Sequence, residues 1–118
     1  MRVSVKLVVF RHPKSTEQSP YCGYSGYCPQ LTYFVDNQSS VDAVVSIVKR
    51  HLYQELCHRI RYKNLQIRGW EVSENSAIPP IFTDEEVVHL AEQLYEVKIV
   101  EPQIIVLNVR LPNAQNLW

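Results

Sequence analysis

The residues best suited to chemistry in this 118-residue chain are three cysteines and four histidines. Cys22 and Cys28 lie six residues apart, and His51, Cys57 and His58 fall near the end of one predicted helix. Structural zinc sites usually offer two ligands separated by two to four residues in each half, so this spacing fits a metal poorly. We therefore predict isolated thiols, with no bound metal and no other cofactor.

Nucleophilic and acid–base catalysis are two weaker alternatives. A thiolate would need a histidine beside it, but adjacent residues of a helix point in different directions, and no third group is placed to orient the base. The candidate pairs combine Cys28 or Cys57 with His51, His58 or His89. Glu85, Glu86 and Glu92 could act as acids, but carboxylates at a helix start more often compensate the helix dipole. No phosphate cradle or nucleophile elbow occurs. We predict that the protein is not an enzyme.

Composition predicts one globular domain over residues 1–118. Apolar residues make up 46% and charged residues 20%, as in ordinary folded domains, and no apolar run is long enough to cross a bilayer. The first apolar segment lacks the features of a signal peptide, and an odd number of cysteines then favours reduced thiols. We expect a cytoplasmic protein without a membrane partner.

The net charge of zero hides an asymmetry along the chain. Through Trp70 there are ten Lys and Arg against four Asp and Glu, whereas from Glu71 onward there are two against eight. The asymmetry could orient the domain on an acidic partner, or it could be satisfied inside the fold. The basic region 49–68 also contains two tyrosines and could follow a nucleic-acid backbone, although a neutral isoelectric point makes this a weaker alternative.

Tyrosines recur from Tyr21 to Tyr33 on a segment interrupted by Gly23, Gly26 and Pro29, which rules out a helix. We predict that residues 11–30 form a protruding loop that presents aromatic side chains to a partner, because such side chains bury much area at a small entropic cost. The predicted partner-binding residues are Tyr21, Gly23, Tyr24, Gly26, Tyr27, Pro29, Gln30 and Tyr33. The alternative is that the tyrosines fold back over the core.

The segment Gly23–Tyr33 resembles a short Gly-Tyr-x-Gly-aromatic-x-Pro-Gln-x-x-Tyr motif of one group of ciliary microtubule inner proteins. The resemblance is local, and Asp36 stands where that family often carries another glycine. It implies a docking peptide that contacts tubulin, in a protein of the ciliary axoneme.

Apolar periodicity predicts the elements that must position these residues. Strands with period two are expected over 3–9, 31–35, 65–72 and 104–111. The first and last are apolar on both faces, which is typical of central strands. An apolar stripe from Val41 to Leu56 predicts the main helix, capped by Ser39 or Ser40. Thr83 and Glu86 match the capping box of a second, shorter helix.

The resulting order β-β-α-β-α-β is that of an α+β domain of the β-grasp type, in which the first and last strands pair in parallel at the centre of the sheet. The last strand also resembles that of ubiquitin-like domains, although no Gly-Gly follows it. A ferredoxin-like sandwich is the alternative fold.

These features predict a non-enzymatic structural or adaptor protein that docks through its tyrosine motif onto a protein partner, with axonemal tubulin the partner that the resemblance implies. One alternative is a ubiquitin-like adaptor of a soluble complex, which would bind its partner on the open face of the sheet near Trp70. The other is a nucleic-acid-binding module that uses residues 49–68.

Overall fold

The computed structural model describes residues 2–11, 23–61, 69–72 and 77–110. The strands are β1 (Arg2–Arg11), β2 (Tyr24–Cys28), β3 (Tyr33–Gln38), β4 (Glu71–Val72), β5 (Ala77–Ile78) and β6 (Gln103–Arg110), and the helices are α1 (Val41–Arg61) and α2 (Asp84–Tyr95). Within these residues, four strands form an antiparallel sheet in the order β3-β2-β1-β6, and β4 pairs with β5 in a separate ribbon. The protein is therefore a small α+β domain.

The central strand β1 divides the core into two layers because its side chains alternate between the two faces of the sheet. Val5 and Leu7 belong to a buried cluster that includes the apolar stripe of α1. Val8 and Phe10 belong to a second cluster with α2. The sheet thus lies between the two helices, and both faces of β1 are covered, as its sequence predicts.

Helix α1 follows from its cap and its apolar stripe. The backbone N–H of Ala43 donates to Ser40 Oγ over 3.1 Å, which satisfies one of the free N–H groups of the first turn. The predicted stripe is buried almost completely at Val44, Val48, Leu52 and Leu56. The main helix is therefore confirmed, and it continues beyond the predicted stripe to Arg61.

Helix α2 begins with the predicted capping box. The Glu86 N–H donates to Thr83 Oγ1, and the Thr83 N–H donates to Glu86 Oε1, each over 3.1 Å. Val87 and Ala91 are buried against the second cluster. An ion pair of 2.8 Å between Lys6 and Asp84 joins β1 to the first turn of α2, so part of the charge asymmetry is satisfied inside the fold.

Two predictions about the terminal strands are wrong. The terminal strands β1 and β6 pair antiparallel, with Val5 opposite Leu107, instead of in the parallel arrangement of a β-grasp. The last strand lies at an edge of the sheet and not at its centre. Helix α1 covers one face of β6, and on the other face Ile104 packs on the α2-side cluster while Val106 is exposed.

The predicted loop 11–30 also contains a strand. Tyr24–Cys28 form β2, which pairs with β1 and separates it from β3. The strand predicted over 31–35 corresponds to β3, which begins at Tyr33. Residues 12–22 lie outside the described residues. The third predicted strand, 65–72, is described only in part, and its last two residues form β4 in the separate ribbon.

Candidate functional site

The glycines of the tyrosine motif are required by close backbone packing. Gly23 has a φ of 80°, and a Cβ there would collide with the carbonyl oxygen of Gln38. A Cβ at Gly26 would collide with Cγ1 of Val44, so the absence of a side chain lets α1 pack directly on β2. Tyr21 lies outside the described residues. Gly23 and Gly26 therefore both have a structural role in the domain.

Gln30 joins three parts of the chain. Its Oε1 accepts from the Lys6 N–H over 2.8 Å, and its Nε2 donates to the Pro80 carbonyl over 3.1 Å. Its own carbonyl accepts from Trp70 Nε1 over 2.7 Å. Because Gln30 is buried and each of these polar groups is satisfied, this residue ties Trp70 and Pro80 to β1.

The tyrosine rings of the motif contact their own domain. Tyr24 packs on the α1-side cluster and Tyr27 on the α2-side cluster, each half-buried. Burial raises the pKa of Tyr27, with a smaller contribution from the Cys28 thiolate. Tyr33 stacks on His51 with ring centroids 3.7 Å apart and planes 7° apart. Pro29 is half-buried in the following turn. The docking role of these residues stays a prediction.

The described thiols are poorly suited to nucleophilic chemistry. Cys28 is fully buried, and burial raises its pKa to about 11 despite two backbone hydrogen bonds that lower it. Burial also raises the pKa of Cys57, and a hydrogen bond with Tyr53 partly offsets this. Both thiols are therefore protonated at neutral pH, and the thiolate is the reactive form. Among the described residues, which do not include Cys22, no group of three or more His, Cys, Asp or Glu could hold a metal ion.

The edge strand β6 combines features that are unusual in an edge. Eight consecutive residues pair with β1 without a bulge, and no described strand pairs with the other side of β6. No proline and no charged residue occurs between Gln103 and Val109. Every second residue of an antiparallel edge strand directs its N–H and C=O away from its partner. β6 therefore presents a regular row of backbone donors and acceptors, which we call the open edge.

An apolar shelf lies beside the open edge on the α2 side of the sheet. It consists of Pro79, Pro80, Ile81, Phe82 and Val106, which line a groove of about 190 Å³ together with Lys6 and Gln30. Ile81 is 92% exposed and Val106 is 53% exposed. Large aliphatic side chains exposed beside one another are typical of protein contact sites.

A basic cleft lies beside the same edge on the α1 side. It has a volume of about 620 Å³, and its lining includes Lys49, Arg50 and Tyr53 of α1 and Asn108 and Arg110 of β6. The lining contains no carboxylate from the described residues. Lys49 and Arg50 are exposed, so the cleft offers two cations that water solvates in the isolated chain. Arg110 lines the cleft at its strand position, but alternation along β6 directs its side chain to the α2 face, with Val106.

A further arginine increases the positive charge at this end of the sheet. Arg2 lies directly opposite Arg110 in the β1–β6 register, and the next pair on that face is Ser4 with Asn108. Ser4 Oγ donates to Asn108 Oδ1, which fixes the amide beside the two arginines. Like charges directly opposite each other in a sheet are destabilising, so an anionic group placed here would relieve the repulsion.

Sequence analysis identifies only part of this candidate site. Lys49 and Arg50 belong to the predicted basic region, and Tyr53 is one of the two tyrosines in it. The sequence does not identify Arg110, Val106 or Ile81 as residues of the site, because the sequence of a strand does not show whether another strand lies beside it. The run Pro79–Phe82 is the available signal, since two prolines followed by two apolar residues cannot be buried in a regular element.

Comparisons with protein-family models, with curated proteins and with solved structures find no match. In the part of the chain that the structure describes, no helix is long and apolar enough to cross a membrane.

Proposed function

We propose that this protein is a non-enzymatic adaptor or structural protein, and that it binds an extended segment of a partner protein along the open edge of β6. The observation that supports the proposal most directly is the uninterrupted, uncharged edge from Gln103 to Val109. Folded proteins usually protect such an edge with lysine, proline, a bulge or a covering element, because it can pair with another chain. Among the described residues no element covers this edge, and it is the binding surface of the proposal.

Strand addition uses the two surfaces beside the edge as well. Backbone hydrogen bonds along β6 supply affinity, and side chains of the added segment alternate between the two faces of the extended sheet. One set would lie over Val106 and Ile81 on the apolar shelf, and the other would lie over Tyr53 in the basic cleft. The shelf and the cleft together can therefore select among extended segments.

The buried thiol of Cys28 and several hydrogen bonds belong to the framework that positions the edge. Cys28 contributes to the α1-side core, and its raised pKa keeps it neutral there. The hydrogen bonds of Gln30 and the caps of both helices likewise support a rigid framework. A rigid framework keeps the edge extended before the partner arrives, which reduces the entropic cost of binding.

The other predicted partners remain separate possibilities. Docking on tubulin through the tyrosine motif depends on the sequence resemblance, while the contacts of Gly26, Gln30 and Tyr33 give these residues roles inside the domain. The nucleic-acid alternative depends on region 49–68, of which Lys49 and Arg50 line the basic cleft and residues 62–68 lie outside the described residues.

Selection from a phage library that displays random extended peptides tests the proposal on the full chain. Peptides selected on the wild-type protein should slow amide hydrogen exchange in β6 and leave exchange in β3 unchanged. Val106→Glu should abolish binding, because it places a carboxylate on the apolar shelf where an apolar side chain of the segment would lie. The matched control is Phe34→Glu on the other edge, where a side chain of similar exposure is replaced. Peptides that bind both variants equally well and protect no β6 amide would contradict the proposal.

A further inference from the structure

We infer that the segment bound by the open edge is acidic in its N-terminal half and alternates acidic with apolar residues. This inference rests on the proposed function and specifies the chemistry of the partner. It follows from the different character of the two surfaces beside β6 and from the unequal distribution of charge along the strand.

The alternation follows from strand geometry. Successive side chains of an added strand point to opposite faces of the sheet. On one face they meet Val106, Ile81 and the prolines of the apolar shelf. On the other face they meet Lys49 and Arg50, whose cleft has no carboxylate in its described lining. An apolar side chain suits the first surface and a carboxylate suits the second.

The position of the acidic residues in the segment follows from the uneven distribution of charge along β6. Lys49 and Arg50 lie beside the C-terminal end of β6 on the α1 face, and Arg110 with Arg2 opposite it adds positive charge at the same end on the α2 face. Glu101 lies two residues before the N-terminal end of β6 and would repel a carboxylate there. Every pairing in the main sheet is antiparallel, and antiparallel pairing is slightly more stable per residue. An antiparallel segment places its N-terminal half beside the cations.

Two other occupants match the edge less well. A second copy of this chain would pair β6 with β6, and Gln103–Arg110 contain no carboxylate to meet the cations of α1. Residues 111–118 also contain no Asp or Glu, so the segment that follows β6 does not supply the charge either. Nucleic acid would match the cations, but its backbone cannot continue the hydrogen-bonded ladder of a sheet. An acidic extended segment satisfies the ladder, the shelf and the cleft together.

Three synthetic peptides of about ten residues test the inference, because a strand of that length covers the whole edge. The first alternates glutamate with valine in its N-terminal half and threonine with valine in its C-terminal half. The second replaces each glutamate by lysine, and the third moves the glutamates to the C-terminal half. Fluorescence anisotropy with the full chain should rank the first peptide above the third by about tenfold at low salt, with the lysine peptide weakest. High salt should reduce these differences.

Charge reversal at one arginine tests whether the basic cleft causes the preference for acidic peptides. Arg50→Glu should weaken the first peptide about fivefold and strengthen the lysine peptide. Arg11→Glu is the matched control, since Arg11 is exposed and lies at the opposite end of β1 from the residue that pairs with Arg110. The control should leave both affinities unchanged.

The outcomes separate this inference from the proposed function. Equal binding of all three peptides, with protection of β6 amides, overturns the acidic preference and leaves strand addition standing. Binding of none overturns both. Sedimentation of the free chain as a dimer that protects β6 also overturns the inference, because a second copy would then be the occupant.

Discussion

The two edges of the main sheet differ in how they are protected. β3 is short, contains Asp36, and includes Asn37 with a φ of 60° in the left-handed region. The β2–β3 register also shifts between Tyr24 and Gly26. β6 is longer, regular and free of charge until its last residue. The sheet therefore has one edge that resists strand addition and one that permits it.

The protection of β3 involves other parts of the fold. The Tyr95 hydroxyl of α2 donates to Asp36 Oδ1 over 2.7 Å, and Gln38 Nε2 donates to the Asp36 carbonyl over 3.0 Å. The second bond occupies a backbone carbonyl of β3, the kind of group to which an added strand would donate. Under the proposed function, the β2–β3 side serves stability and the β6 side serves recognition. Four substitutions or titrations test this division, beginning with the largest expected effect.

Gly26→Ala should destabilise the domain by about 3 kcal/mol, the upper end of the usual cost of overpacking a core. The added Cβ would collide with Val44 Cγ1, which is fully buried, so either β2 or α1 must move. Denaturant unfolding monitored by circular dichroism measures the loss.

Val44→Ala removes the colliding methyl group and provides the control. The double variant Gly26→Ala with Val44→Ala should be more stable than the sum of the two single losses predicts. Strictly additive losses would show that the collision with Val44 is not the cause.

The second prediction concerns pH and Cys28. Its pKa is about 11 in the folded chain against 9.0 for an unperturbed thiol, so the folded state favours the neutral form. The resulting contribution to stability is complete below pH 9 and is lost as pH rises from 9 to 11. The free energy of unfolding should fall by about 2–3 kcal/mol over that interval, at about 1.4 kcal/mol per pH unit.

Cys28→Ala should lose most of this pH dependence. A slope that persists in the variant would assign the effect to Tyr27, whose pKa burial also raises. Urea unfolding at a series of pH values distinguishes the two residues.

The helices and the strands differ in how far the sequence predicts them. Ser40 and the Thr83–Glu86 box are local signals, and each makes the predicted hydrogen bonds. The sequence does not predict strand β2, because Gly23 and Gly26 lower its propensity for a strand. The fold requires both glycines, since they pack closely against Gln38 and Val44. A local pattern cannot report such a contact between distant residues.

The candidate site shows the same limit. The alternation of Ile105, Leu107 and Val109 correctly predicts a buried face, but alternation describes the faces of a strand and not its neighbours. The edge position of β6 depends on pairing with β1, which lies about a hundred residues earlier in the chain. Charge at residues 49 and 50 is visible in the sequence, whereas the cleft that those residues form with Arg110 is visible only in the fold.

The third prediction applies one substitution to both edges. Val35→Thr in β3 should cost about 1–3 kcal/mol, because the hydroxyl would enter the α1-side core where Val35 is 8% exposed. Val106→Thr in β6 should change stability by less than about 0.5 kcal/mol, since water already reaches the side chain. Thermal unfolding of the two variants measures the difference. Equal losses would contradict the assignment of stability to the β3 side.

The smallest expected effect comes from Tyr95→Phe, which removes the hydroxyl donated to Asp36 and keeps the ring that packs on Phe10 and Phe34. The loss of one partly buried hydrogen bond should cost about 1 kcal/mol. Amide exchange in β3 should become faster, while exchange in β6 stays as it is, because only β3 depends on this bond. Asp36→Asn in the Tyr95→Phe background should add little further loss if the hydroxyl is the main partner of the carboxylate. If β6 amides respond as strongly as those of β3, the two edges are coupled through the sheet and cannot be assigned separate roles.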